Sequence, residues 1–88
     1  SVLEGREPQF ENMVQFFTEN QFSLLKAIAK DFIVAQPTSG KFIKEHKLSG
    51  ASSVKAALKV LEDKELVYRT NEGYIIYDRF MDLWLKRI

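Results

Sequence analysis

The sequence predicts a mostly α, α+β fold of the winged helix-turn-helix class, with about five helices and a short β-hairpin wing. Three observations support this prediction. Apolar residues recur at helical spacing in several segments, a glycine-containing turn separates a short helix from a longer one, and two β-prone segments flank Thr70–Gly73. A short helix, a tight turn, a longer helix and a hairpin in this order are typical of the class.

Apolar spacing places the first two helices. Pro8 suits the first turn of a helix over Pro8–Thr18, where apolar residues recur every three or four positions. Asn20 is expected to cap a second helix. Residues 33–35 form a short β-prone stretch that Pro37 closes. The inward face of the second helix is expected to carry Phe22, Leu25, Ile28, Ala29 and Phe32.

The helix-turn-helix comes next. Thr38 or Ser39 is expected to cap a short third helix that ends near residues 46–47. Gly50 lies in the following turn, where a small flexible residue lets two helices meet at a steep angle. A longer helix over 52–64 follows, and its buried side is expected to carry Val54, Ala57, Leu58 and Leu61.

The wing and a last helix complete the chain. Strands over Leu66–Arg69 and Tyr74–Tyr77 are separated by a short turn in which Asn71 and Gly73 tolerate positive φ. Asp78 is expected to cap the last helix. Apolar residues of this helix are expected to add to the core: Phe80, Met81, Trp84, Leu85 and Ile88.

Length, composition and charge limit the function. At 88 residues the chain has room for one modest core, and without cysteine it cannot form disulfides or thiol-based sites. Membrane-spanning runs and a signal-peptide pattern are absent, so we expect no membrane partner. We expect a cytoplasmic location, with which the lack of cysteine is compatible. The net charge is only +1, but residues 41–69 carry seven basic and four acidic side chains. The weak positive potential of this segment can attract a polyanion but is not sufficient to bind it by itself.

The segment Tyr74–Leu85, with Tyr77-Asp78 followed by Trp84-Leu85, resembles the segment that closes the C-terminal winged-helix domain of archaeal-type AAA+ ATPases. Residues 24–29 are similar to the first helix of that domain, and residues 53–67 to its recognition helix and first wing strand. Arg79 stands where that family often has proline. The similarity covers roughly residues 20–88.

The resemblance implies a division into a linker or lid-like helix at 1–19 and a winged-helix domain at 20–88. It also implies a larger parent protein with a nucleotide-binding core upstream, and the absence of an initiator methionine at Ser1 fits a fragment. ATP and Mg²⁺ would be cofactors of that parent. We expect no cofactor in this chain.

Two binding functions follow from these residues. The first is an interaction or regulatory role, in which the domain packs on the ATPase core of the same polypeptide or on a partner protein. Near-neutral charge favours it, as does an apolar excess at the two chain ends that we expect to be exposed. The residues of this excess are Val2, Leu3, Phe10, Phe16 and Ile88.

The alternative is binding of duplex DNA, sequence-specific or not, through the 52–64 helix and the 66–77 wing. That helix has no arginine for bidentate guanine contact, and Glu72 in the wing opposes phosphate binding. The candidate DNA-binding residues are Lys41, Lys44, Lys47, Ser52, Ser53, Lys55, Lys59, Arg69 and Asn71.

Catalysis by the chain itself is not expected. Ser39-Gly40-Lys41 hints at a phosphate loop, but that motif needs glycine and a hydroxyl residue where Ala35 and Phe42 stand. His46 is the only histidine, and we expect an exposed residue at a helix end and no metal site. The carboxylates around Glu62-Asp63 are expected to form a solvated face.

Overall fold

The computed structural model describes the backbone of residues 2–88 and the side chains of residues 5–88. Within this range five helices and a two-stranded antiparallel hairpin confirm the predicted mostly α, winged helix-turn-helix class. None of the described helices is long and apolar enough to cross a membrane. The elements are α1 Val2–Val14, α2 Glu19–Asp31, α3 Gly40–Glu45, α4 Ala51–Asp63, β1 Val67–Thr70, β2 Gly73–Ile76 and α5 Arg79–Arg87.

Helix α2 is the centre of the core and packs against α4, α5 and β2. Its residues Leu24, Leu25 and Ile28 are completely buried. Every other element contributes to the same apolar cluster, so one core holds the helix-turn-helix, the hairpin and α5 in a fixed arrangement. These contributions are Phe10, Phe42, Val54, Ala57, Leu58, Leu61, Val67, Ile76, Met81, Trp84 and Leu85.

Helix α1 differs from the prediction of a helix over Pro8–Thr18. It begins before Pro8, which lies inside the helix, and it ends at Val14. An internal proline costs a helix about 3 kcal/mol. Packing against α5 offsets this cost, because Phe10 is buried with its ring centroid 5.5 Å from that of Trp84. The expectation that Phe10 is exposed is therefore wrong. The side chains of Val2 and Leu3 lie outside the described residues, so their expected exposure stays a prediction.

The start and end of α2 both correct the prediction. Thr18, and not Asn20, is the N-cap: its hydroxyl accepts from the Gln21 amide, and the Gln21 side chain accepts from the Thr18 amide. This reciprocal pair is a capping box, which satisfies two amides that a lone Asn20 would leave free. At the other end Phe32 is 68% exposed, contrary to its expected inward position.

Phe32 leaves the core because the backbone turns there. Its φ of 68° and ψ of −61° place it in the left-handed half of the Ramachandran map, and the Ile33 amide donates to the Asp31 carbonyl at 2.8 Å. This is a γ-turn, a strained conformation for a residue with a side chain. The turn sends Val34 into the core, where it pairs with Tyr74.

The hairpin pairs Val67 with Ile76 and Thr70 with Gly73, so both strands lie one residue from the predicted ranges. The Thr70 hydroxyl accepts hydrogen bonds from the Glu72 and Gly73 amides, which closes the two-residue loop. Two backbone hydrogen bonds between Val34 and Tyr74, of 3.0 and 2.8 Å, attach the hairpin to the α2–α3 connection. The wing is therefore a part of the packed domain and not a free ribbon.

Helix α5 begins as predicted. The Asp78 carboxylate accepts from the amides of Phe80 and Met81, at 2.8 and 3.3 Å. Met81, Trp84 and Leu85 are buried as expected, whereas Phe80 and Ile88 are exposed and add little to the core.

Candidate functional site

The turn between α3 and α4 positions the helix-turn-helix. Ser39 caps α3, since its hydroxyl accepts from the Phe42 amide at 3.2 Å. Gly50 has a φ of 156° at the N-cap of α4, a value that residues with a Cβ rarely adopt. The backbone conformation of this turn therefore favours glycine.

The outer face of α4 carries three of the candidate DNA-binding residues, because the core stripe of this helix faces α2. Ser52, Lys55 and Lys59 are exposed along this face. Ser53 is half-buried and instead lines a small polar pocket with Glu19 and residues of the turn. The predicted recognition face is therefore narrower than the sequence suggested.

The wing meets this face at Lys55 and Arg69. Both side chains line one groove, about 400 Å³ in volume, together with Tyr74 and residues 35–39 of the α2–α3 connection. Neither cation forms an ion pair with any side chain in the described range. Asn71 is exposed in the loop at the tip of the wing. This groove is the place where α4 and the wing bring basic candidates together.

The three lysines of the α3 region do not join that groove. Lys41, Lys44 and Lys47 are all exposed, but Lys41 lines a groove with Asp31 and Glu45, and Lys47 lines the small polar pocket beside Ser53. The basic candidates are therefore spread over several faces.

Carboxylates weaken the field at the C-terminal end of α4. The Lys59 ammonium lies 3.6 Å from Asp63, and Glu62 is exposed beside this pair. Both side chains of the pair are well exposed, so their attraction adds little stability. The Asp63 carboxylate nevertheless compensates one of the two lysine charges on the outer face of α4.

An exposed aromatic surface, consisting of Tyr68, Tyr77 and Phe80, lies where the hairpin joins α5. Tyr77 is 71% exposed and Tyr68 44%, and their rings meet edge to face with centroids 5.7 Å apart. Arg6 connects Phe80 to this pair. Its guanidinium carbon lies 5.2 Å from the centroid of the Phe80 ring, and Arg6 and Tyr77 line the same groove. Exposed aromatic groups of this size are enriched in protein interfaces.

Arg6 and Asp78 connect α1 to the start of α5 beside this surface. Two hydrogen bonds join their side chains, the shorter 2.6 Å long. Burial alone would raise the pKa of Asp78, but the bonds from Arg6 and from the Met81 and Phe80 amides outweigh it and hold the pKa below 3.8. Asp78 therefore stays ionised near neutral pH and keeps both contacts.

His46 corrects a prediction. It is the C-cap of α3, as a helix-end residue should be, but only 16% of its side chain is exposed. The ring packs on Phe42 with centroids 4.8 Å apart, and its Nε2 lies 3.1 Å from the Asp31 carboxylate. A residue at a helix end is often exposed, but the His46 ring is largely buried because α3 packs beside α2.

The short α3, the glycine turn, α4 and the tethered hairpin define this chain as a winged-helix domain, a class that commonly binds DNA or other proteins. The chain belongs to the family described as "Probable winged helix domain", whose model matches residues 8–87. Searches of curated proteins and of solved structures find no match for it.

The arrangement of two groups of residues was not predicted from the sequence. From the sequence, Tyr68 and Tyr77 are predicted only as strand residues, although the alternation of Val67 inward and Tyr68 outward indicates an exposed tyrosine. Asp31 and Glu45 were not linked to His46, since they meet only when α2 and α3 pack together.

Proposed function

We propose that this chain is a non-catalytic docking domain that packs through its aromatic surface on the ATPase core of the same polypeptide or on a partner protein. The observation that carries the proposal is the exposure of Tyr68, Tyr77 and Phe80 on one side of a domain that already has a complete core. Exposed aromatic side chains lose unfavourable contact with water when a partner covers them.

Charge supports docking ahead of DNA binding. The net charge is +1, and on α4 one of the two outward lysines is paired with Asp63. No arginine lies on α4. A DNA-binding face normally concentrates cations on one surface, whereas the candidates here are divided among several grooves.

The proposed parent is an AAA+ ATPase, on the strength of the resemblance of Tyr74–Leu85 to the end of that family's winged-helix domain. ATP and Mg²⁺ would bind the parent's core, and residues 1–19 would connect that core to the winged helix. The sequence upstream of Ser1 in the gene product tests this parentage. A phosphate loop there supports it, and an upstream sequence without one refutes it.

Docking is tested by titrating the separately produced core with this chain in a calorimeter. We expect Tyr68→Ser combined with Tyr77→Ser to weaken binding by a factor of about 30 or more, the range of interface hot spots. Phe32→Ser is the matched control, because Phe32 is 68% exposed but lies outside the aromatic surface. Equal affinity of the double variant and the unaltered chain refutes docking through this surface.

A second candidate function, duplex DNA binding, is favoured by one observation: Lys55 and Arg69 line a single groove between α4 and the wing. Fluorescence anisotropy with a labelled duplex measures it. We expect weak binding whose log–log salt slope is no steeper than about −3, because few phosphates are contacted.

Tight binding that Lys55→Glu and Lys59→Glu each abolish would reverse the order of the two functions. Lys30→Glu is the control for nonspecific charge, since Lys30 is an exposed lysine on α2 that does not line the grooves of α4 and the wing. If Lys30→Glu weakens binding equally, the groove is not the DNA site.

A further inference from the structure

Three metal-ligating side chains meet where α2 and α3 both end. Asp31 is the last residue of α2, Glu45 the last residue of α3, and His46 the C-cap of α3. One oxygen of each carboxylate and one ring nitrogen of His46 all lie within 4.8 Å of one another. The carbonyl ends of two helices add partial negative charge at this place, which favours a cation.

The Nε2 atom of His46 is the unusual member of this group. It is buried, and within the described residues it makes no hydrogen bond. Yet it lies only 3.1 Å from Asp31 Oδ1, so the two atoms are close but not aligned for a hydrogen bond. A buried polar atom without a partner is costly, and a ligand that it could bind would remove this cost.

The separation of these two atoms fits metal coordination. Two ligand atoms bound to one tetrahedral ion at about 2.1 Å are about 3.4 Å apart. Glu45 needs a shift of up to about 1.4 Å to reach the same ion, because the three ligand atoms are spread over as much as 4.8 Å and the ligands of a tetrahedral ion are about 3.4 Å apart. Glu45 is exposed, so its side chain is free to make this adjustment.

We propose that Asp31, Glu45 and His46 bind one divalent transition-metal ion, for which Zn²⁺ is the best match. One imidazole nitrogen and two carboxylate oxygens are ligands that Zn²⁺ accepts, and they leave a fourth position open to water. Lys41 lines the same groove but pairs with neither carboxylate in the described range. The ion joins the end of α2 to the end of α3 and so holds the helix-turn-helix against the central helix.

The test uses the whole 88-residue chain, treated with chelator and then titrated with Zn²⁺. We expect one equivalent to bind in a calorimeter and the melting temperature to rise by about 5 °C or more at saturation. Co²⁺ in place of Zn²⁺ should give visible absorption bands of a low-symmetry site, a reading that is independent of stability. Absence of binding at about 1 mM Zn²⁺ overturns the proposal.

The variants Glu45→Gln and Asp31→Asn keep the side-chain shapes and should each lower Zn²⁺ affinity at least tenfold. Glu62→Gln is the matched control, an exposed glutamate on α4 outside the cluster, and should bind Zn²⁺ as the unaltered chain does. Unchanged affinity in Glu45→Gln or Asp31→Asn overturns the three-residue site. An equal loss in Glu62→Gln also overturns it, because binding would then be diffuse attraction to exposed carboxylates.

Discussion

Replacement of Asp78 by alanine is expected to lower the free energy of unfolding by about 2 kcal/mol, because this carboxylate stabilises two helices at once. It accepts from the Phe80 and Met81 amides at the start of α5, and it binds Arg6 of α1. Loss of an N-cap costs about 1 kcal/mol. Both side chains of the ion pair are about 30% exposed, so its loss adds about 1 kcal/mol more.

Asp78→Asn separates the two contributions. Asparagine is a good N-cap without a charge, so this variant should lose about 1 kcal/mol, half of the effect of alanine. Urea unfolding followed by circular dichroism measures both, and the alanine variant should melt about 8–16 °C below the unaltered domain. Arg6→Gln in combination with Asp78→Asn completes a double-mutant cycle for the pair.

The ion pair also predicts an acid dependence. The pKa of Asp78 is below 3.8 in the folded domain and close to its ordinary value in the unfolded chain. Its stabilisation is therefore fully present above about pH 5 and is lost as the pH falls through the folded value. The difference between the unaltered domain and Asp78→Asn should shrink over this acidic range. An equal difference at pH 7 and pH 3 would refute the reasoning, as would an alanine variant with an unchanged melting temperature.

Three further substitutions test the fold. Trp84→Ala should cost about 3–5 kcal/mol, because Trp84 is buried against Phe10, and a melting temperature near that of the unaltered domain would assign it a surface role. Gly73→Ala should cost more than about 1 kcal/mol in urea unfolding, since a Cβ there would lie 2.6 Å from the Val34 carbonyl oxygen and Gly73 has a φ of 143°. Thr18→Ala should cost about 1 kcal/mol through loss of the capping box, and an unchanged urea midpoint would contradict this role.

Much of the fold was predictable because its signals are local. Asp78 and Ser39 cap the helices that follow them, and Gly50 and Gly73 adopt positive φ where the turns require it. Each of these assignments depends on chemistry within a few residues of the chain. Tertiary packing supports them and does not oppose them.

The errors arise where distant contacts decide the outcome. Helix α1 passes through Pro8 because Phe10 packs on Trp84, which is remote in sequence. Phe32 has helical spacing relative to Ile28 and Ala29, yet a γ-turn removes it from the core. Spacing describes a helix face only as far as the helix extends.

The candidate site was less predictable than the fold. The nine basic and polar candidates occur at groove-facing positions of a winged helix, but the sequence does not show that Lys41 and Lys47 face different pockets. Nor does it show that Asp31 reaches His46, because this contact depends on how α2 packs against α3. Surface properties depend on three-dimensional neighbours that spacing along one element does not describe.

The pair of hydrogen bonds between Val34 and Tyr74 has a mechanical consequence. They make the α2–α3 connection a third, single-residue strand, so β2 is bonded along both of its edges and β1 along only one. A force applied to the tip of the hairpin at Asn71 is therefore transmitted through β2 into the connection that precedes α3. We therefore expect the wing and α3 to move together. The outer edge of β1 has no hydrogen-bonded neighbour in the sheet, so the sheet is expected to deform there first.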